Sequence, residues 1–119
     1  MRYITVKILA LSLMSICMSA GCNKNEKEEN VLRWAADVES GAPYVFQNPD
    51  NPKDLIGFEV EIIDAVAKKL GMKSVHVQQQ WDGLIPGLGR NDYDVVINGI
   101  EITPDRQQVV NFSRPYFAT

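Results

Sequence analysis

The feature that most restricts the fold is an alternation of strand-type and helix-type patterns along residues 31–106. In chain order the strand, helix, strand, helix and strand segments are 31–37, 58–70, 74–79, 81–88 and 93–97. This order is typical of an α/β layer built on a parallel sheet. Such sheets bind ligands beyond the carboxyl ends of their strands, at the point where the strand order reverses.

Residues 58–70 carry the clearest helical pattern. The apolar residues at helical spacing, which predict one buried face, are Phe58, Ile62, Ala65, Val66 and Leu70. Acidic residues lie toward the start, two lysines lie in the last turn, and Gly71 follows as a stop. We therefore expect this helix to be scaffold.

The other segments carry weaker signals. Asp82 is predicted to cap a short helix in which Pro86 falls within the first turn. Residues 109–112 are predicted to form a last short strand. His76 alternates with the apolar residues of its strand, and we expect it to be solvent-exposed and not to bind a metal.

Residues 97–106 form the most informative stretch. The chain leaves a strand, turns at Asn98 and Gly99, and restarts as a helix capped by Thr103. Arg106 then falls at the third helical position, where a guanidinium beside free helix amides can bind a carboxylate through two parallel hydrogen bonds. The pattern predicts a pocket for a small carboxylate. The alternative is a capped surface helix whose Arg106 pairs with Asp105 or with solvent.

The amino terminus has the organisation of a secretory signal. Arg2 and Lys7 precede a largely apolar run at 8–18, and small residues at 19–21 precede Cys22. The apolar run is shorter than the about 20 residues that a membrane-spanning helix needs. We expect residues 1–21 to be a lipoprotein signal peptide.

Cys22 is the single cysteine that remains after such cleavage, since Cys17 lies within the apolar run. The sequence at 19–22 resembles the bacterial lipobox, with Ser19 where leucine is usual, and this implies lipidation of Cys22. The alternative is a secreted protein with a free thiol. Residues 22–30 contain almost no apolar side chain and are expected to form a flexible tether.

Composition limits the remaining possibilities. The chain has 119 residues, 45% hydrophobic content and a net charge of −3, which suits at most one ordinary globular domain. Removing residues 1–21 takes away two basic residues and makes the charge more acidic. An acidic surface argues against nucleic acid as a partner.

Five motifs in register carry a family resemblance: GFEVE at 57–61, WDGLIP at 81–86, YD at 93–94, ITPDR at 102–106 and FSRPY at 112–116. In order and spacing they resemble the extracytoplasmic amino-acid-binding proteins of ABC importers, the family 3 solute-binding proteins. The resemblance covers residues 31–119. It implies a periplasmic-binding-protein-like α/β fold of two lobes that close on one free amino acid, delivery to a transporter permease, and no cofactor or metal.

The resemblance also implies roles for individual residues. Arg106 binds the ligand α-carboxylate with help from the Thr103 amide, and Trp81 stacks on the ligand. The ligand α-ammonium is taken by the backbone of Asn98, Gly99 and Ile100 and by the side chain of Glu101. Asp37 and Glu39 follow the first strand and are expected to face positive ligand groups. Tyr44 is a candidate second stacking ring, although the loop before it is about one residue longer than usual.

Two departures from the family pattern bear on function. Position 101 is commonly a small hydroxyl residue and here is Glu101, which favours a polar or basic amino acid over an acidic one. The alternative is that Glu101 faces solvent or pairs with Arg106 or a lysine. The second departure is length, because the chain stops near the first crossing between lobes and is expected to hold part of one lobe, residues 31–119. Three other readings remain: a dehydratase of the same fold, a sensory lobe, and an inactive fragment.

Overall fold

The computed structural model describes residues 30–118. Its elements are β1 (Val31–Ala36), β2 (Phe46–Gln47), β3 (Leu55–Ile56), α1 (Phe58–Leu70), β4 (Lys73–Gln78), α2 (Leu84–Gly89), β5 (Val95–Val96) and α3 (Pro104–Gln107). Two single 3₁₀ turns lie at Val38–Ser40 and Trp81–Gly83. The predicted signal peptide and all of the predicted tether except Asn30 lie outside the described residues.

The central sheet is parallel and has the order β4-β1-β5. In register, Trp34 of β1 lies opposite His76 of β4 on one side and Val95 of β5 on the other. The predicted α/β layer with a parallel sheet is confirmed. A separate two-stranded antiparallel pair, β2 with β3, precedes α1.

Helix α1 spans the predicted residues but presents a different face to the core. Its buried residues are Glu59, Ile63 and Ala67, whereas Val66 and Leu70 are 41% and 57% exposed. The predicted face is therefore wrong by about one residue, or roughly 100° of rotation. Apolar side chains flank the buried row on both sides, so periodicity alone did not determine which row meets β1.

The core lies on both faces of β1. On one face, a buried cluster that includes Ile63 and Ala67 of α1 is completed by Leu32, Trp34, Ala36, Val45 and Ile97. On the other, Ala35 packs with Leu84 and Tyr93. Because β1 is covered on both sides, its sequence is a nearly continuous apolar run without the alternation of a half-exposed strand.

A buried tyrosine joins α2 to the turn before β5. The Tyr93 hydroxyl lies 2.6 Å from the Leu84 carbonyl, to which it donates. Its ring passes so close to Gly87 that a Cβ at that position would lie 2.1 Å from the Tyr93 oxygen. Gly87 is therefore required by packing, and the weak helical pattern of 81–88 reflects this contact.

Three local predictions are wrong. Asp82 does not cap α2, whose N-cap position is occupied by Gly83 with no side-chain hydrogen bond. Residues 109–112 form no strand, because the chain leaves α3 through turns with Val109 69% exposed. His76 is half-buried, since its ring packs on Trp34 at a centroid distance of 4.6 Å and its Nε2 lies 3.2 Å from the Ala36 carbonyl. Pro86 does lie in the first turn of α2.

Within residues 30–118 no helix combines the length and apolar character needed to cross a bilayer.

Candidate functional site

The candidate site is a small cleft beyond the carboxyl ends of the parallel strands. The cleft has a volume of about 190 Å³ and is lined by Trp81, Asp82, Ile85, Ile100 and Arg106. The segments after β4 and β5 supply these residues, and β1, between those strands, ends at Ala36, directly before Asp37. The sheet edge predicted to bind a ligand is therefore the edge that carries this cleft.

Arg106 is held by the cap and by Glu101. The Thr103 hydroxyl accepts a hydrogen bond from the Arg106 amide at 3.3 Å, and Pro104 begins α3 as predicted. The Arg106 Nη1 donates to the Glu101 carbonyl at 3.0 Å and to its carboxylate at 2.6 Å. Both bonds use Nη1. Within residues 30–118, these bonds leave the Nε and Nη2 atoms on the other edge of the planar guanidinium able to bind another carboxylate.

Glu101 pairs with Arg106 at the mouth of the cleft. Its side chain is 71% exposed, and the hydrogen bond from Arg106 lowers the pKa of its carboxyl below the usual value. The structure therefore has the alternative to a ligand-facing Glu101 that the sequence left open, namely an exposed carboxylate paired with Arg106. The carboxylate is therefore ionised and partly neutralised by its neighbour.

Trp81 forms the opposite wall. It lies in the 3₁₀ turn after β4, and the residue is 39% exposed. The Arg106 Cζ atom lies 5.8 Å from the ring centroid, which is within the range of a cation–π interaction. The predicted stacking residue and the predicted carboxylate ligand thus meet in one cleft.

Asp37 sits where the three strands end, and its carboxylate is occupied by protein donors. Its Oδ1 accepts from the Glu39 amide at 3.1 Å and from the Gln78 side chain at 3.3 Å. Its Oδ2 accepts from the Trp81 amide at 3.1 Å. The predicted ligand acid therefore also joins β1 to the turn that carries Trp81.

Two hydrogen bonds, one to Asn98 and one from Gly99, hold the turn after β5. Asn98 is buried, and its Oδ1 accepts from the Asp37 amide at 2.6 Å, while its Nδ2 has no partner in the described residues. Gly99 has a φ of 61°, a left-handed conformation that suits glycine. Its amide donates at 2.6 Å to the carboxyl of Glu59.

Glu59, like Asp82 and Ile85 of the cleft lining, was not predicted from the sequence as a site residue. It is fully buried in α1, and its Oε1 accepts from the Gly99 amide and the Tyr116 hydroxyl, while Oε2 has no partner within residues 30–118. Burial raises the pKa of Glu59, although both hydrogen bonds oppose the shift. An acid in the first turn of a helix normally faces solvent and complements the helix dipole, so its spacing carried no signal of burial.

Of the ten predicted ligand residues, three line the cleft, namely Trp81, Ile100 and Arg106. Tyr44 and Glu39 are among those that do not. The Tyr44 ring packs on Phe58 and Phe117 at centroid distances of 5.3 and 6.2 Å, and it lies against Gly99. Glu39 is exposed, and it is its amide, not its carboxylate, that bonds to Asp37. The structure brings together Trp81, Ile100 and Arg106 in the cleft, with Glu101 bonded to Arg106. Asp37 bonds to the Trp81 amide and to Asn98.

The sequence profile of the bacterial extracellular solute-binding proteins, family 3, matches residues 32–119. The chain belongs to this family. Its relatives include a probable histidine-binding protein of Neisseria gonorrhoeae, 35% identical over 114 residues, which cover 92% of this chain and 41% of that protein. The chain spans less than half the length of the curated relatives it matches.

Solved structures give the same result for the fold. An ancestral arginine-binding protein bound to arginine is 38% identical, with a TM-score of 0.69, and the match covers 74% of this chain and 38% of that one. An ancestral cyclohexadienyl dehydratase is 30% identical, with a TM-score of 0.68, over 76% of this chain and 36% of that one. The fold is therefore that of one part of a periplasmic amino-acid-binding protein, and an enzyme shares it.

Proposed function

We propose that this chain supplies part of an extracytoplasmic receptor that binds a free amino acid and delivers it to an ABC transporter permease. The observation that carries the proposal is the position of Arg106, whose guanidinium lines a cleft opposite the Trp81 ring. A planar fork with a free edge suits the bidentate binding of a carboxylate. The family of the chain and the amino-acid-binding relatives support the same assignment.

The size of the cleft indicates which part of the ligand it takes. Complete ligand sites usually measure about 300–1,000 Å³, and this cleft measures about 190 Å³. It therefore takes the amino-acid head group, with the α-carboxylate on Arg106 and the α-ammonium near the backbone of residues 98–100. The remainder of the ligand contacts a second lobe, in the part of the relatives that this chain does not span.

Negative charge at the cleft supports a proposal for the preferred ligand class. Asp82 lines the cleft, and the Glu101 carboxylate lies at its mouth. A second ligand carboxylate would approach both, so we propose a polar or basic amino acid over an acidic one. Glu39, which is exposed, is available to a positive ligand group, whereas the oxygens of Asp37 already accept bonds from the protein.

We place the receptor outside the cytoplasm, attached to the membrane through a lipidated Cys22 after removal of residues 1–21. The lipobox-like sequence at 19–22 supports this anchor. The polar segment that follows, residues 22–30, separates the domain from the bilayer.

Calorimetric titration of the complete protein with L-arginine, L-histidine, L-glutamine and L-glutamate tests the function. We expect saturable binding of at least one of the first three and weaker binding of L-glutamate. Absence of binding by all four would overturn the receptor assignment. Mass spectrometry of the recovered ligand tests the dehydratase alternative, because a receptor returns the amino acid unchanged.

A further inference from the structure

We infer that Glu59 is a positioning residue of the proposed amino-acid site, which holds the turn at 98–100 through the Gly99 amide and does so as a hydrogen-bond acceptor, not as a negative charge. The inference rests on the proposed function for its ligand, because the backbone of this turn is proposed to receive the α-ammonium. The hold on the turn itself concerns the unliganded protein and is tested without any ligand.

Glu59 joins three segments that are distant in the chain. It lies in the first turn of α1 and is fully buried. Its Oε1 atom accepts hydrogen bonds from the Gly99 amide at 2.6 Å and from the Tyr116 hydroxyl, residues 40 and 57 positions further along. The side chain therefore connects the helix to the turn after β5 and to the segment beyond α3.

The bond from Gly99 sets the orientation of the backbone beside the cleft. The peptide bond between Asn98 and Gly99 is trans, and in a planar trans peptide the N–H and the C=O point in opposite directions. Because the Gly99 N–H is directed at the buried Glu59, the Asn98 carbonyl is directed away from it. Ile100 follows directly and lines the cleft, so a displaced Gly99 would also move a wall of the site.

The surroundings of Glu59 suit an uncharged acceptor. Both donors meet on Oε1, while Oε2 has no partner within residues 30–118. A protonated carboxyl or a carboxamide has one carbonyl oxygen, which can accept both bonds. Burial raises the pKa of Glu59, and Tyr116 and Gly99, which lower it, are both neutral donors. An ionised carboxylate would therefore be buried without a cation in the described part of the chain, which is costly.

Tyr116 supplies a control within the same network. Burial, and then the bond to Glu59, raise the pKa of Tyr116 above its usual value, so its hydroxyl keeps the proton that it donates. Tyr116→Phe removes this donor and leaves the Gly99 bond in place. An effect that follows the Gly99 bond is therefore distinguishable from a general loss of contacts around Glu59.

Two substitutions of Glu59 separate the acceptor from the charge. Glu59→Gln keeps an acceptor oxygen and removes the charge. Glu59→Leu has a similar volume and no polar atom, so the Gly99 amide loses its partner. A role as acceptor predicts that Glu59→Gln resembles wild type and that Glu59→Leu does not, whereas a role as a charge predicts that both variants are impaired.

Hydrogen exchange of backbone amides, followed by NMR in the unliganded complete protein, is the first readout. The Gly99 amide reports on the bond to Glu59, and the Ile97 amide, which donates to the Ala35 carbonyl at 3.1 Å, reports on the sheet. We expect Gly99 to be protected in wild type, Glu59→Gln and Tyr116→Phe. In Glu59→Leu it should exchange at least about tenfold faster, with Ile97 unchanged.

Equal acceleration at Gly99 and Ile97 in a folded Glu59→Leu would show a general loss of stability and would overturn the inference. Unchanged exchange at both amides would overturn it as well. If Glu59→Leu does not fold, wild type and Glu59→Gln decide, because an unprotected Gly99 amide in either one contradicts the acceptor role and protection in both supports it.

The second readout is calorimetric affinity for whichever of L-arginine, L-histidine and L-glutamine binds to wild type. We expect Glu59→Leu to lose at least about tenfold, because an unpaired buried amide lets the turn move. Glu59→Gln and Tyr116→Phe should remain within about threefold of wild type.

A larger loss in Glu59→Gln would assign the effect to the charge, and a loss in Tyr116→Phe equal to that in Glu59→Leu would assign it to general packing. Either result contradicts the inference. If wild type binds none of the three amino acids, the proposed function fails, and hydrogen exchange still decides whether Glu59 holds the turn.

Discussion

The Arg106 Nη1 atom donates to two oxygens of Glu101, the carbonyl at 3.0 Å and the carboxylate at 2.6 Å. This pairing closes residues 101–106 into a loop and sets the plane of the guanidinium. The position that departs from the family pattern therefore acts directly on the residue proposed to hold the ligand.

Arg106→Ala should weaken amino-acid binding strongly. Truncating one partner of a hydrogen-bonded charge pair costs about 2–5 kcal/mol, which corresponds to a loss of roughly 30-fold to several thousandfold in affinity. Arg106→Lys should restore little, because a point charge cannot reproduce the planar fork. Calorimetry on the complete protein measures the change. A loss of less than about threefold for Arg106→Ala would show that Arg106 is an ordinary surface residue.

Glu101→Gln should reduce the difference in affinity between basic and acidic amino acids. The substitution removes a carboxylate from the mouth of the cleft, so affinity for L-glutamate rises relative to L-arginine. Because the pair is exposed, we expect a change of about twofold to fivefold. Glu61→Gln, on the exposed side of α1, is the matched control. Tight L-glutamate binding that Glu101→Gln leaves unchanged would contradict this role.

Glu59 should make the stability of the folded protein depend on pH. Burial raises its pKa above the usual 4.5, so the folded state keeps a proton that the unfolded chain releases. The free energy of unfolding contributed by Glu59 is fully present below about pH 4.5 and is lost as pH rises through the folded-state pKa.

Urea unfolding of wild type and Glu59→Gln, from about pH 4 to about pH 8, measures this effect. The difference between the two is needed because burial lowers the pKa of His76, which raises stability as pH rises through its own range. We expect wild type to lose stability relative to Glu59→Gln as pH rises. A constant difference would mean that Glu59 has the same pKa in both states.

Two glycines of α2 form a matched pair for packing. At Gly87 a Cβ would lie 2.1 Å from the Tyr93 oxygen, whereas at Gly89 nothing lies within 4 Å. Gly87→Ala should lower the free energy of unfolding by about 1–3 kcal/mol. Gly89→Ala should leave it unchanged or raise it slightly, by less than about 1 kcal/mol. Equal stability of the two variants in thermal unfolding would show that Tyr93 moves aside at no cost.

Cys22→Ser should release the protein from the membrane fraction, because it removes the proposed acylation site. Cys17→Ser should not, since that residue lies within the proposed signal peptide. Fractionation and mass spectrometry of the amino terminus measure both outcomes. A soluble wild type with an unmodified thiol at Cys22 would contradict the anchor.

The sequence predicted the parallel sheet, the bounds of α1 and the Thr103 cap because these follow from local spacing and capping chemistry. It failed where a contact joins residues distant in the chain. The rotation of α1, the burial of Glu59 and the packing of His76 on Trp34 each depend on which segments meet across the sheet.

In the candidate site, too, features set by local sequence were predicted, and contacts between distant residues were not. Arg106 was predicted because a strand end and a helix start lie next to it, and Trp81 because the family resemblance implies a stacking ring there; both line the cleft. The bonds of Asp37 were not predicted, since its partners Gln78 and Trp81 lie more than 40 positions away.

Strand β1 has a further consequence for how the chain folds as it is synthesised. It is the middle strand, yet its partners come late, since Val31 pairs with Lys73 and Trp34 with Val95. The most apolar segment of the sheet therefore stays unpaired until β4 has been made, and one edge stays open until β5 follows. Closing such long loops delays folding. During this interval the apolar side chains and unpaired edges of β1 are exposed, so the nascent chain is prone to aggregate. We expect a chaperone that holds unfolded chains to bind this segment.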